Sequence, residues 1–330
     1  MSRGRNRPDL DLEVQVGPVR LPNPIVAASG TFGHGDELAD LCDPAGLGAV
    51  TVKSQAVFAW PGNPSPRLHP TASGMLNAVG LQGMGIEHWI DHDLEPLLAR
   101  GARVIASIWG HSIDDYARAA ALLAPVSTRL TALEVNLSCP NQREGDAIFA
   151  HDRFQTAEVV AAVVRAAPGL PVLAKLSGGV ADLPAIAGAA VEAGAAGLTL
   201  INTVRAFAID APTRRPVLGS TGGGLSGAAI KPVALRAVYD VTRALPGVPV
   251  VGTGGVMSGV DAVEMLLAGA SAVGVGTATF ADPRATLRIL GELTRWCDDH
   301  SVARVADLTG ALEPVPDLGT HRDRHGEDGA

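Results

Sequence analysis

The sequence predicts a closed (β/α)8 barrel, and three observations lead there. Eight short runs of β-branched and apolar residues recur along the chain, nearly unbroken by polar residues, as parallel strands buried on both faces should be. Amphipathic stretches such as DDYARAAALLAPV and TAEVVAAVVRAA lie between them, with apolar residues at helical spacing. Most of the runs then end in small or polar residues, the pattern of a barrel whose strand ends carry a site. An open doubly wound sheet would need a glycine fingerprint after its first strand, and Ser29-Gly30-Thr31-Phe32-Gly33 is a poor one.

Taken in order, residues 1–9 form a polar, basic segment without the apolar stretch of a secretory signal. LEVQVGPVRLPN alternates and turns at Gly17-Pro18, which predicts a β-hairpin across the bottom of the barrel. The strands are expected in Asn23–Gly30, Gly48–Ser54, Arg103–Gly110, Ala132–Cys139, Pro171–Ser177, Gly197–Thr203, Pro249–Gly255 and Ala272–Ala278. Two connections are long: Gln55 to Glu87 after the second strand and Val204 to Ser226 after the sixth. Long ordered insertions in a barrel usually cover the active face. From Glu313 the chain is polar and reads as a disordered tail. The expected organisation is one barrel domain over residues 10–312, between a polar segment (1–9) and a polar tail (313–330).

Composition narrows the function. In 330 residues, 47% are hydrophobic, enough for a large core, and the net charge of −8 lacks the basic footprint of nonspecific nucleic-acid binding. No apolar run has the length of a membrane span. Cys42, Cys139 and Cys297 lie far apart and offer neither a disulfide framework nor paired metal ligands. A cytoplasmic protein without a resident metal is expected. Lysine occurs only at Lys53, Lys175 and Lys231 against a background of arginine, so each retained lysine is informative.

Barrel active sites gather at the C-terminal strand ends. Here those ends hold Ser29, Lys53, Ser54, Ser107, Asn136, Cys139, Lys175, Ser177, Asn202, Thr203, Gly254, Gly255, Gly276 and Thr277. The seventh and eighth strands end in GTGGV and GVGTA, each leading into a helix. Glycine lets the backbone approach a ligand, and helix N-termini offer N–H groups to an anion. Such paired turns form a common barrel phosphate site, with an FMN phosphate as the leading occupant and a sugar phosphate as its rival. Asn136-Leu137-Ser138-Cys139-Pro140-Asn141 is the sharpest signal. A thiol at a strand end, flanked by amides, can take a proton if its site favours the thiolate. Asn77, Asn136, Asn141 and Asn202 could ring a flat heterocycle with donors and acceptors.

These stretches resemble the class 1 dihydroorotate dehydrogenases, soluble FMN-dependent barrel enzymes of pyrimidine synthesis. The resemblance rests on NPIVAASGTFG, VTVKS, PGNPSPRL, GMLNAVGLQ, EVNLSCPN, VLAKLS, INT followed by AID, TGGGLSGAAIKPVALR, GTGGV and AVGVGTA, in order over about residues 20–285. A cysteine base, where class 2 enzymes use serine, fits class 1. NAVGLQ and GGLSGAAIKP are most similar to the NAD-linked subclass 1B, in which this catalytic subunit pairs with an FAD and [2Fe–2S] electron-transfer subunit. A homodimer core or heterotetramer is then implied. The resemblance implies that Cys139 takes the C5 proton of dihydroorotate while the C6 hydride passes to FMN. Lys53 then lies between flavin and substrate, and Lys175 lies against the pyrimidine end of the flavin. Asn77, Asn136, Asn141, Asn202 and Thr203 would hold orotate, with the backbone of Ala78, Val79, Gly80 and Leu81. Ser29, Lys53, Ser54, Ser107, Asn136, Lys175 and Ile201 would contact the flavin, and Gly227, Gly254, Gly255, Gly276 and Thr277 its phosphate and ribityl chain.

The sequence departs from the family pattern in four places. Ser107 stands where an asparagine is frequent, Gly178-Gly179 replaces Pro-Asn, Gly83-Met84 replaces Asn-Pro, and Arg205-Ala206-Phe207 replaces a more apolar loop. Three other functions remain open on the residues alone: an FMN barrel oxidoreductase for another pyrimidine, a Schiff-base lyase using Lys175, and a non-catalytic flavin- or phosphate-binding barrel. His34, His69, His88, His92 and His111 lack metal-ligand spacing, and Cys42 and Cys297 are expected to be buried or incidental.

Overall fold

The computed structural model describes residues 10–138 and 148–314. The expectations for residues 1–9 and for the tail beyond 314 lie outside these. Eight strands form the barrel: β1 (Ile25–Ala27), β2 (Ala49–Thr51), β3 (Val104–Ile108), β4 (Ala132–Asn136), β5 (Val172–Leu176), β6 (Gly197–Leu200), β7 (Val250–Thr253) and β8 (Ala272–Val275). Each pairs in parallel with the next, and β8 closes on β1 through Val273↔Ile25. Every residue of all eight strands is buried, which is why their sequences run apolar without alternation.

The helices between strands bury one face against the barrel. Ile113–Leu123 starts at a capping box formed by Ser112 and Asp115 and buries Tyr116, Ala119, Ala120 and Leu123, an i, i+3, i+4, i+7 stripe. Arg153–Ala166 begins at Asp152, whose carboxylate accepts from the N–H groups of Phe154 and Gln155. The expected hairpin is present: Val14–Val16 pairs antiparallel with Val19–Leu21 around Gly17, at φ 60°. Gly17 packs on the carbonyl of Ala196, just before β6, so the hairpin closes the N-terminal end of the barrel.

At the opposite end the two long connections join. Strands Val204–Ala206, Gly223–Ser226, Gly74–Asn77 and Leu68–Thr71 form one antiparallel sheet in that order, with Gly224 opposite Asn77 and Leu225 opposite Leu76. Leu76, Ala78 and Leu218 make a small apolar core beneath it. Among the described residues no helix is long and apolar enough to cross a membrane, and no group of histidine, cysteine and carboxylate side chains could hold a metal ion.

Candidate active site

Two adjoining cavities open at the C-terminal ends of the strands. The first, of about 120 Å³, is lined by Lys53, Ser54, Asn77, Val79, Gly80, Leu81, Asn136, Lys175, Asn202 and Thr203, with Leu68, Met75 and Phe280 at its edge. The second, of about 80 Å³, is lined by Ile201, Gly227, Thr253, Gly254, Gly255, Gly276 and Thr277. Ser29, Thr31, Lys175, Asn202 and Thr203 line both. The structure thus brings together most residues singled out in the sequence. Ala78, expected to act through its backbone, turns its side chain into the small core under the cap sheet, and Ser107 is buried below the pocket rather than on its wall. Cys139 and Asn141 lie outside the described residues.

The amides of the first cavity are held by the protein itself. Asn136 Nδ2 donates to Ser54 Oγ (3.1 Å), and its Oδ1 accepts from Asn202 Nδ2 (3.3 Å) and the Ser138 N–H (3.4 Å). Asn202 Nδ2 also donates to the carbonyl of Ser138 (3.1 Å), which anchors the chain immediately before Cys139. Asn77 donates to the carbonyl of Gly224 across the cap sheet (3.2 Å). Tyr116 supports β4 from outside by donating its hydroxyl to the carbonyl of Asn136 (2.8 Å). Lys53 stands beside Gly30: a Cβ added there would come within 3.4 Å of its Nζ.

The second cavity ends in backbone amides. Among the described residues, the N–H groups of Gly254, Gly255, Gly276 and Thr277 have no protein acceptor, and the buried hydroxyl of Thr253 has no partner either. The Thr253 hydroxyl is a buried polar atom without a partner, and such atoms are normally paired, so it and the buried or half-buried turn amides beside it mark a place for an external acceptor. The helix-terminus expectation needs correction at the seventh strand. The helix Gly259–Leu267 is closed by its own Ser258–Asp261 capping box, and Asp261 accepts from the N–H groups of Met257 and Ser258, both at 2.9 Å. Lys231, the third lysine, pairs with Asp261 (2.6 Å) and Glu264 (2.8 Å) and supports this turn from behind. The free amides belong to the glycine turns, not to that helix.

The departures are accommodated locally. A Cβ on Gly83 would lie 2.5 Å from Gln55 Oε1, and one on Gly178 would lie 2.5 Å from Ile201 Cδ1, so a larger residue at either position needs only the end of one flexible side chain to shift. Val204–Ala206 takes its place in the cap sheet. Sequence reasoning missed Ala28, Thr31, Ser226, Ile230, Thr253, Val256 and Met257 on the cavity wall, and missed Glu134 below it. Of the histidines, His34 and His88 line a separate cavity of about 440 Å³ with Glu37, Gln55, Trp60 and Asp93. Cys42 and Cys297 are buried, the former in contact with Thr286 Oγ1 at 3.1 Å.

A barrel whose C-terminal strand ends carry a polar amide pocket beside a bay of free backbone N–H groups has the site architecture of a barrel enzyme. The family model for dihydroorotate dehydrogenase matches residues 11–296, and the chain belongs to that family. Among its relatives is the "Dihydroorotate dehydrogenase B (NAD(+)), catalytic subunit" of Pelobacter propionicus, 47% identical over 92% of this chain and 99% of the relative. Proteins of the same name from Alkaliphilus metalliredigens and Bacteroides thetaiotaomicron are 44% and 42% identical, again over 92% of this chain and 99% of each relative.

Proposed function

We propose that this chain is the FMN-bearing catalytic subunit of an NAD-linked dihydroorotate dehydrogenase. It oxidises dihydroorotate to orotate in pyrimidine biosynthesis and passes the electrons to NAD through a partner subunit carrying FAD and a [2Fe–2S] cluster. The observation that carries this is the pair of cavities meeting at Lys175, one walled by fixed amides and the other ending in free N–H groups. These residues fit FMN. Four backbone donors and the unpartnered Thr253 hydroxyl suit a phosphate and its polar chain, and the shared wall at Ser29, Lys175 and Asn202 suits a ring that faces both cavities.

Oxidation removes a proton from C5 of dihydroorotate and a hydride from C6. FMN, when bound, supplies the hydride acceptor. The chain's own residues do the rest. Asn136 and Asn202 are orientated before substrate arrives, because both ends of each amide already bond to the protein, and Asn77 is held through its Nδ2. Lys53 supplies a cation for the substrate's carboxylate, and Lys175 supplies one at the shared wall. Cys139 Sγ accepts the C5 proton, on a segment whose preceding residue is held by Asn202.

The test is steady-state turnover by the FMN-loaded chain. Dihydroorotate should reduce an artificial dye rapidly and NAD slowly, and adding the electron-transfer subunit should restore NAD reduction. Absence of dihydroorotate-dependent dye reduction would refute the activity. Rapid NAD reduction by the chain alone would refute the partner.

A further inference from the structure

We infer that Glu134 is a positioning residue that sets both the charge of the pocket floor and the orientation of Asn136; this rests on the flavin function proposed above. Barrel interiors are ordinarily filled with branched apolar side chains. Glu134 lies in the middle of β4, 3% exposed, inside the barrel. A carboxylate is costly there unless it is paired and hydrogen-bonded. Its Oε2 accepts from Thr199 Oγ1 (3.0 Å), and its Oε1 accepts from Ser107 Oγ (3.4 Å) and lies 3.6 Å from Lys175 Nζ. Strand register places the group: Ser107 is opposite Glu134, while Asn136 and Thr199 are both opposite Lys175. Glu134 is two residues before Asn136 and therefore on the same face, one layer beneath the pocket.

Two consequences follow. The first concerns charge. Among the described residues this is the one ion pair with both side chains less than a tenth exposed. At 3.6 Å the carboxylate offsets the lysine's charge without taking a short hydrogen bond from it, so the ammonium donors stay available to the cavities Lys175 lines. The second concerns direction. An ionised carboxylate only accepts. Ser107 must therefore donate to Glu134, which leaves Ser107 Oγ to accept from Ser54 Oγ (2.9 Å), and Ser54 in turn accepts from Asn136 Nδ2. The chain of donors ends on Glu134, and together with the Ser138 N–H, which Asn136 Oδ1 accepts, it sets which end of the Asn136 amide faces Asn202.

The experiment uses Glu134→Gln, Lys175→Met, the double variant and Glu134→Asp. Three quantities are measured: the midpoint potential of bound FMN against reference dyes, the KM for dihydroorotate, and apoprotein melting. Losing only the carboxylate leaves the floor more positive and should favour the reduced, anionic flavin. The reduced-to-oxidised ratio at fixed potential should rise about tenfold, ~30 mV for a two-electron couple. Lys175→Met should move the potential the other way, and the double variant should fall between the two and near wild type. The KM of Glu134→Gln should rise, because a glutamine can donate to Ser107 and reverse the chain. Glu134→Asp should restore the wild-type direction of both readings. Should Glu134→Gln fail to fold, the double variant, which leaves no lone buried charge, must melt above Lys175→Met and keep the intermediate potential. An unchanged or lowered potential in Glu134→Gln, or a double variant no closer to wild type than Lys175→Met, overturns the inference. Wild-type protein that binds no FMN would remove the proposed function and this inference together, whereas FMN binding with unmoved potentials removes this inference alone.

Discussion

Replacing Gly276 with alanine should separate cofactor binding from folding. A Cβ at Gly276 would meet only Ala28 Cβ and Thr31 Cγ2, both at 3.6 Å, an ordinary van der Waals distance. The folded chain can therefore take the methyl group, and a less flexible unfolded chain offsets any small cost, so stability should change by no more than about 1 kcal/mol. Ala28 and Thr31 line the second cavity, however, so the methyl group stands where a ligand would approach the N–H groups of Gly276 and Thr277. A hydrogen bond to a charged group is worth roughly 1.5–3 kcal/mol. Losing one should weaken FMN binding about 10- to 100-fold. Gly255→Ala is the contrasting variant. Its φ is 76°, and the new Cβ would lie 2.5 Å from Lys231 Cβ and 2.6 Å from Lys231 N. A left-handed alanine costs about 1–2 kcal/mol, and the backbone clash adds to it, so this variant should lose stability outright. Thermal melting of the apoproteins and fluorescence titration with FMN give the two readings. A Gly276→Ala protein that binds FMN like wild type would show that the Gly276 turn does not hold the FMN phosphate, and one that melts as low as Gly255→Ala would show that the methyl group is not taken without cost to the fold.

Other expectations are more local. Asn202→Ala removes the donor to Ser138 O (3.1 Å), Ser138 Oγ (3.2 Å) and Asn136 Oδ1 (3.3 Å), so steady-state kinetics should show KM raised at least about tenfold, with kcat also reduced and FMN retained. The Glu37 carboxylate raises the His34 pKa above its ordinary 6.5. Burial of Glu37 opposes its ionisation, but hydrogen bonds from the His34 ring and from the N–H groups of His34 and Gly35 prevail and hold its pKa at about 2. The stabilisation from His34 is complete below pH 6.5 and is lost as pH rises through the higher folded value. That from Glu37 is complete above pH 4.5 and is lost as pH falls toward about 2. Melting of His34→Gln relative to wild type should therefore show its largest deficit between these limits and a shrinking one above neutrality; a deficit independent of pH would contradict the pairing. Cys139→Ser should keep some activity with its pH profile moved upward, because a hydroxyl is a poorer base than a thiol; an unshifted profile would count against a base at this position.

The barrel was legible because its strands are buried on both faces. Runs such as VLAKL and AVGVG admit no alternation, and eight of them separated by helical spacing leave few other architectures. The cap sheet was legible only as two long insertions. Its pairing of Gly74–Asn77 with Gly223–Ser226 joins segments about 150 residues apart, and no local pattern in either specifies the other. The cavity-lining polar residues were found because strand ends are where a barrel places its site. Thr253 escaped notice as an ordinary strand residue before the glycines. Glu134 carried a signal that could have found it: a lone charge within an otherwise buried strand, two residues from Asn136 and thus on its face. The helix-terminus expectation failed at Gly259–Leu267 because Ser258 and Asp261, a recognisable capping box, already occupy those N–H groups.

We propose that this chain carries out the dihydroorotate half-reaction with Cys139 as its base. The most direct measurement is anaerobic mixing of the FMN-loaded protein with dihydroorotate in a stopped-flow spectrometer while the flavin absorbance is followed. Wild type should bleach in a substrate-dependent phase, and Cys139→Ala, with FMN still bound, should not. A wild-type protein that keeps its oxidised spectrum would contradict the dihydroorotate half-reaction, and an alanine variant that bleaches at the wild-type rate would contradict Cys139 as its base.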